Sequence, residues 1–259
     1  MNSLPKISIV VPSFNKEKYI KSTLESIVNQ DYPNLEVLIQ DGGSSDGTLE
    51  IIKKFAEKHP KVIRWESKKD KGQTDAINKG LKKATGEIFA YINADDVYKK
   101  GALLTVGKFY AKHPDMLWLA GRGDVIDEKG KEISSWVTAY KNYLLHMTHY
   151  PLLLMVNYLM QPSIFLSRKV FGKYGLFTGT KSFIMEYDLW LKIGKDKMPV
   201  VINSYLSSFR LSKNSISMTQ FKKTLLEDER IVKKYTDNPI ILGLHYLHNI
   251  GRAVIALLS

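Results

Sequence analysis

The sequence contains no cysteine, which excludes disulfide frameworks, thiolate zinc sites and cysteine nucleophiles in one step. It also lacks an N-terminal targeting signature: only Lys6 and a short apolar run ending at Pro12 stand there, without the length or cleavage site of a signal peptide, so a cytoplasmic location is expected. No G-x-G-x-x-G follows the first apolar run, which counts against a nicotinamide or flavin cofactor. The one long stretch rich in Leu, Met and Tyr, Tyr143 to Met160, is broken by His146, His149 and Pro151 and is too interrupted to span a bilayer. It suits the lining of an acceptor pocket or contact with a membrane surface. No repeat or low-complexity tract is present.

What is there is ordinary globular composition. The chain has 259 residues, 44% of them hydrophobic and 25% charged, enough for one large α/β domain with an appended subdomain and no reason for disorder. The formal charge of +12 comes from lysine pairs spread along the chain, such as Lys53 and Lys54, Lys99 and Lys100, and Lys233 and Lys234. Such pairs normally form solvated helix faces. Net charge alone would support nucleic-acid binding, and none is expected.

Hydrophobic periodicity alternates along the first half. Ile7 to Val11, Leu35 to Ile39, Val62 to Trp65 and Ile88 to Ile92 read as strands. Between them, Tyr19, Ile20, Thr23, Leu24, Ile27 and Val28, then Leu49, Ile51, Ile52, Phe55 and Ala56, then Ala76, Ile77, Gly80, Leu81 and Ala84 recur at helical spacing. Strand and helix at this pitch imply βαβ crossovers and a mainly parallel, Rossmann-like sheet. Ligands bind outside the carboxyl ends of such strands, so the loops after Val11, Gln40 and Ile92 are expected to converge. Beyond Gly101 the pattern loosens into a helix to about His113, a strand through Trp118, and a turn at Asp127 to Gly130 leading into Ile133 to Val137. At the end, Ile240, Leu244, Leu247, Val254 and Leu258 lie on one helical face with His248 and Arg252 near its edge, suited either to docking on the protein's own core or to a membrane surface.

The three loops are polar. The first holds Pro12, Ser13, Phe14 and Asn15. The second, Asp41 to Thr48, is rich in glycine and can bring backbone N–H groups close to a ligand, while Asp41 can accept hydrogen bonds from a base or ribose; the same residues also build ordinary turns. The third holds Asn93, Ala94, Asp95 and Asp96. Adjacent carboxylates there suit Mg²⁺ or Mn²⁺, which bind mainly through one or two carboxylates plus substrate phosphates, although two acids also serve to cap a helix.

In order along the chain stand Ile-Val-Val-Pro-Ser-Phe-Asn, Gln-Asp-Gly-Gly-Ser-Ser-Asp-Gly-Thr (Gln40 to Thr48), Gly72-Gln73-Thr74-Asp75-Ala76-Ile77-Asn78-Lys79-Gly80, Gly86-Glu87-Ile88, Asn93-Ala94-Asp95-Asp96, Gln161-Pro162 and Glu186-Tyr187-Asp188-Leu189-Trp190. This series resembles the family 2 glycosyltransferases of the GT-A fold, from the first strand through Asp188 with a weaker tail to about Ser217. The resemblance implies a nucleotide-sugar-binding half at 1–115, an acceptor-binding and catalytic half at 116–218 and a helical extension at 219–259. It implies that Pro12, Ser13 and Asn15 line the nucleotide pocket with Phe14 framing the base, that Asp41 meets the base, most often uracil, and that Gln73, Asp75 and Lys79 flank the nucleotide. Asp95 matches the metal-binding acid of the DxD-type motif, with Asp96 beside it; Asn93 replaces the first acid and Ala94 stands between. Glu186 falls where the family carries its general base, with Asp188 two residues on, read also as an acid at a helix N-terminus. Phe209-Arg210-Leu211 resembles the tail motif, whose histidine is Ser212 here, leaving Arg210 or Lys213 to supply positive charge.

The implied reaction is an inverting transfer from a nucleoside-diphosphate sugar to the hydroxyl of a carbohydrate or lipid-linked acceptor, with Mg²⁺ or Mn²⁺, in surface polysaccharide or glycolipid synthesis. Basic charge and the apolar tail add an expectation of peripheral membrane contact. The Asn93 and Ser212 departures keep open an inactive sugar-nucleotide or partner-binding module of the same fold. A nucleotidyltransferase would need a glycine-rich basic loop where this chain has Pro12 to Asn15.

Overall fold

Strand β1 (Ile7–Ser13) is buried along its whole length, as a strand covered on both faces must be. Its alternation sorts Ile7, Ile9 and Val11 to one core and Val10 to another. The first core is closed by helices α1 (Glu17–Val28) and α2 (Thr48–Lys58), through Ile20, Leu24, Ile27 and Ile52. The second is closed by α3 (Gln73–Lys83), through Ile77 and Leu81. With β2 (Leu35–Asp41), β3 (Ile63–Ser67) and β4 (Ile88–Tyr91), β1 forms a parallel sheet in the order β3-β2-β1-β4. Helices on both faces of a parallel sheet are the architecture that the periodicity implied. The computed structural model describes residues 4–133, 135–179, 184–212 and 220–258; Lys213 and the tail up to Ser217 lie outside them.

The sheet continues through strands that the sequence pattern left indistinct. β5 (Val97–Tyr98) and α4 (Ala102–Lys112) follow β4, and then come β6 (Trp118–Ile126) and β7 (Glu132–Ile133). Trp118, expected to end a strand, begins one. After the turn, Ser135 opens a helix, α5 (Ser135–His146), so Trp136 and Val137 are helical. The cause is a helical stripe of Thr138, Asn142 and Leu145, whose Asn142 side chain clamps the N–H and C=O of Gly123 in β6. Next are α6 (Tyr150–Met155), a 3-10 turn at Gln161–Ser163, β8 (Ile164–Ser167), α7 (Arg168–Tyr174), α8 (Met185–Gly194) and β9 (Val200–Arg210). β8 joins the two halves by pairing antiparallel with both β4 and β6, and β9 runs parallel to β6 and antiparallel to β5.

Two helices close the chain, α9 (Phe221–Val232) and α10 (Pro239–Leu258). α10 seats on the protein through Ile241 and Leu242, partly buried against the second core, and through His245 and Asn249, which are buried: His245 Nδ1 lies 3.2 Å from the Met155 carbonyl, and the two side chains are hydrogen-bonded at 3.0 Å. The apolar face of Ile240, Leu244, Leu247 and Val254 is left exposed, so the stripe read from the sequence is not what docks on the core; the side chain of Leu258 lies outside the described ones. Among the described residues no helix is long and apolar enough to cross a membrane.

Candidate active site

The carboxyl ends of β1, β2 and β4 open on a cleft of about 1000 Å³, walled by Pro12, Ser13, Phe14, Gly42, Gly43, Gln73, Asn93, Ala94, Asp95, Glu186 and Arg210, and also by Lys16, Lys69, Asp70, Tyr91, Gln161 and Arg252. The expected loops therefore do converge. Phe14 is 59% exposed, an uncommon state for an aromatic ring, and the Ser13 hydroxyl is buried without a partner among the described residues. Asn15 adopts a left-handed φ of 50° and ties the first loop to the second: its N–H donates to Ser44 Oγ (2.8 Å) and its Oδ1 accepts from Ser45 N–H (2.9 Å). It braces the cleft and is not part of its wall.

Asp41 serves the same bracing purpose. Its carboxylate accepts from Gly43 N–H (3.1 Å), Ser44 N–H (2.9 Å), Ser44 Oγ (2.5 Å) and Ser67 Oγ (2.6 Å), which leaves it 3% exposed and outside the cleft wall. The wall there is the backbone of Gly42 and Gly43. A Cβ on Gly42 would stand 2.9 Å from Asp70 Oδ2 and would push that carboxylate aside, and Gly43 holds a φ of +86°. Asp75 and Lys79 pair with each other at 2.9 Å along α3 and do not reach the cleft.

After β4 the two acids diverge. Asp95 turns its carboxylate into the cleft, where Lys16 Nζ meets Oδ2 at 2.5 Å. Asp96 points inward with no exposure, and its Oδ1 accepts from the Arg210 N–H at 2.7 Å. Burial, then the Asp95 charge, hold its carboxyl well above the usual range. Asp96 thus fastens the end of β9 and is not among the residues that wall the cleft. Arg210 lines the cleft, but Nε donates to the Asp95 carbonyl (2.7 Å) and Nη1 to those of Asp127 (2.9 Å) and Glu128 (3.3 Å), with its guanidinium 5.2 Å from the Tyr19 ring centroid. Asn93 Oδ1 accepts from Gln73 Nε2 at 2.5 Å.

Mg²⁺ or Mn²⁺ can be tested against this donor set. Among the described residues no group of three acids or histidines could enclose an ion. One carboxylate already holding a cationic group, beside a neutral amide oxygen, is nevertheless the part a protein supplies when substrate phosphates complete the shell. The residues fit that mode, with Asp95 as the charged ligand.

At the other wall, the first turn of α8 carries Glu186 into the cleft, where Tyr91 OH donates to Oε2 at 3.3 Å. Burial raises the Glu186 carboxyl from 4.5 to about 7, the range that suits a general base at neutral pH. Asp188 turns away: it accepts from Thr178 Oγ1 (3.0 Å), Lys234 Nζ (3.1 Å) and Tyr235 OH (3.2 Å), and so fastens α8 to the residues after α9. The sequence reading missed Lys16, Lys69, Asp70, Tyr91 and Arg252; Asp70 lies just before the Gly72-Gln73 motif and Lys16 just after Asn15, so proximity to motifs was the available signal.

The comparisons with known proteins bear on the family and the fold. The model of glycosyl transferase family 2 matches residues 8–175. The chain is 29% identical over 248 residues to a UDP-Glc:alpha-D-GlcNAc-diphosphoundecaprenol beta-1,3-glucosyltransferase of Escherichia coli, covering 94% of this chain and 91% of that one. It is 37% identical over 136 residues to a dolichyl N-acetyl-alpha-D-glucosaminyl phosphate 3-beta-D-2,3-diacetamido-2,3-dideoxy-beta-D-glucuronosyltransferase of Methanococcus voltae, covering 50% of this chain but only 41% of that relative's length. Among solved structures, a mannosyltransferase of Pyrobaculum calidifontis in complex with GDP-Man and Mn²⁺ superposes with a TM-score of 0.72 at 20% identity, over 99% of this chain and 75% of the other. TarS 1-349 of S. aureus in complex with UDP-GlcNAc gives 0.64 at 18%, over 87% and 66%. At such identity these two likenesses show the GT-A fold.

Proposed function

This chain belongs to glycosyl transferase family 2, and we propose that it moves a sugar, with inversion, from a UDP-sugar to a hydroxyl of a lipid-linked acceptor in the synthesis of a surface polysaccharide or glycolipid. The observation that carries the reading is Glu186, a carboxylate raised to about 7 and aimed into a cleft whose far wall presents Asp95 and Lys16. The E. coli relative, alike over nearly the full length of both chains, supports UDP as the nucleotide and a lipid diphosphate as the acceptor's carrier.

In this account the Phe14 ring and the Gly42-Gly43 backbone frame the base, and Asp70 stands near them for polar contact. Lys16 and Lys69 offset negative charge on the diphosphate as it leaves. Asp95, with Asn93 beside it, would hold Mg²⁺ or Mn²⁺, which supplies Lewis-acid stabilisation of the leaving diphosphate. Glu186 takes the proton of the acceptor hydroxyl as its oxygen attacks the anomeric carbon and the bond to the diphosphate breaks. Tyr91 keeps its phenol protonated, because burial and then the Glu186 charge raise it well above 10, so it can only donate to the base and fixes its orientation. Asp188, Asp75, Lys79 and Asp96 hold structure in this account.

The test is a screen of UDP- and GDP-sugars for donor binding and Mn²⁺-dependent turnover with a polyprenyl-diphosphate-linked sugar, followed by NMR of the product's anomeric proton. Transfer from a UDP-sugar with an inverted centre is expected. A retained centre, or turnover only with GDP-sugars, would reject the corresponding part.

A further inference from the structure

Lysine is an unexpected residue where α1 begins. Lys16 caps the N-terminus of that helix, yet its side chain makes no capping hydrogen bond. An ammonium cannot accept from the free N–H groups of a first turn, and its charge stands against the positive end of the helix. The Lys16 backbone is nevertheless held: its N–H donates to Thr48 Oγ1 (2.7 Å), and its carbonyl accepts from the N–H groups of Tyr19 and Ile20 (2.9 Å each). Instead of capping, the side chain reaches the cleft, where Nζ meets Asp95 Oδ2 at 2.5 Å. Departures from local preference of this kind collect at functional sites.

The cleft wall holds three further cationic residues, Lys69, Arg210 and Arg252. Arg210 is committed to the backbone carbonyls of Asp95, Asp127 and Glu128, and Arg252 to Asp228. Among the described residues, Lys16 is the one cation of the wall paired with an acid of the wall. The other acids of the wall make their contacts elsewhere: Asp70 accepts from the Gly72 N–H (2.8 Å) and Glu186 from Tyr91 OH (3.3 Å). Asp95 has a support independent of Lys16, because Arg210 Nε holds its carbonyl at 2.7 Å. The pair is partly open, with the Lys16 side chain 31% and the Asp95 side chain 12% exposed, and a lysine stem is flexible. Rotation of that stem alone takes the ammonium off the carboxylate.

We propose that Lys16 makes ion binding conditional on the nucleotide: its ammonium holds Asp95 in the absence of a donor and passes to the donor's diphosphate when Mg²⁺ or Mn²⁺ takes the carboxylate. The inference rests on the ion and diphosphate roles given to Asp95 and Lys16 in the preceding subsection, and says how one pair serves both. Asp95 and Lys16 together are neutral, and Asn93 adds no charge. A divalent ion arriving alone therefore gains little attraction and meets a like charge on the same carboxylate. A diphosphate supplies the missing negative charge and a second partner for the ammonium. Ion and nucleotide then bind with positive coupling, each raising the other's affinity by the same factor.

Two binding measurements test it. Loss of the aquo-Mn²⁺ electron paramagnetic resonance signal on adding protein reads ion uptake without nucleotide, and calorimetry with UDP in chelator reads the diphosphate contact without the ion. Lys16→Met should take up Mn²⁺ about 10-fold more tightly than wild type and bind UDP in chelator about 10-fold more weakly, the scale of one charged contact. Lys16→Arg keeps the charge and should take up Mn²⁺ as weakly as wild type. Adding Asp95→Ala to Lys16→Met should abolish the gain, which assigns the ion to Asp95. Uptake no tighter than wild type in a Lys16→Met protein with wild-type thermal unfolding would overturn the inference, and so would a gain that survives Asp95→Ala. UDP affinity in chelator unchanged by Lys16→Met would overturn the passage to the diphosphate. Equal UDP affinity of the wild type in Mn²⁺ and in chelator would instead reject the ion reading of the preceding subsection, and this inference with it.

Discussion

Replacing Glu186 by Gln should make the protein more stable and nearly inactive, and the two effects share one cause. A carboxyl moved from 4.5 to about 7 binds its proton more tightly in the folded than in the unfolded chain. The stability it contributes is fully present below about 4.5 and is lost as pH rises through about 7. At about 1.36 kcal/mol per pH unit, that gap is worth on the order of 3 kcal/mol. Glutamine keeps the shape and can still accept from Tyr91 OH, but cannot ionise. Urea unfolding should therefore show Glu186→Gln more stable than wild type by up to about 3 kcal/mol at pH 8, and by little at pH 5. In the wild type, transfer should rise with pH through about 7 as the base ionises. Equal stability of the two proteins at pH 8 would show that the carboxylate is not desolvated there, and the argument for Glu186 as a tuned base would fail.

Three further outcomes follow from the contacts. Asp188→Asn should lower thermal stability by about 1–2 kcal/mol, through the weakened Lys234 and Tyr235 contacts, while transfer stays within a few-fold of wild type; abolished transfer in a folded protein would move the base to Asp188. Asp41→Ala removes the acceptor for four hydrogen bonds of the second loop, so unfolding and UDP affinity should both suffer, each by about 1–3 kcal/mol; UDP affinity lost at unchanged stability would instead indicate direct contact with the base. Chelation and Asp95→Ala should each weaken donor binding in calorimetry without adding to one another, and no effect of chelator on the wild type would discard the ion and leave the diphosphate to Lys16 and Lys69.

The sequence made the parallel half legible because both of its signals are local. Ile7, Ile9 and Val11 alternate, Ile20, Leu24 and Ile27 recur at helical spacing, and strand ends in such a sheet share one edge, which brought Pro12 to Phe14, Gly42 to Gly43 and Asn93 to Asp95 together. Side-chain direction was not legible. Asp95 and Asp96 are adjacent, yet the inward turn of Asp96 is set by a backbone N–H at Arg210, a contact across 114 residues. The carboxylate of Asp188 is claimed by Lys234 and Tyr235, which no local pattern links to it. The α10 stripe misled for a related reason: burial there goes to His245 and Asn249, whose polar atoms find partners in α6 and in each other, with Ile241 and Leu242 packed beside them, and the stripe of Ile240, Leu244, Leu247 and Val254 stays outside.

Sugar transfer in parallel reactions of wild type and Glu186→Gln tests the central claim most directly, with labelled UDP-sugar, Mn²⁺ and a polyprenyl-diphosphate-linked acceptor at pH 8. Label should enter the lipid fraction with wild type and fall by roughly 10²–10⁴-fold with the variant, the contribution of a general base, at unchanged UDP affinity. Equal transfer by the two proteins would contradict the assignment of Glu186, and no transfer from any UDP-sugar by the wild type would contradict the proposed donor.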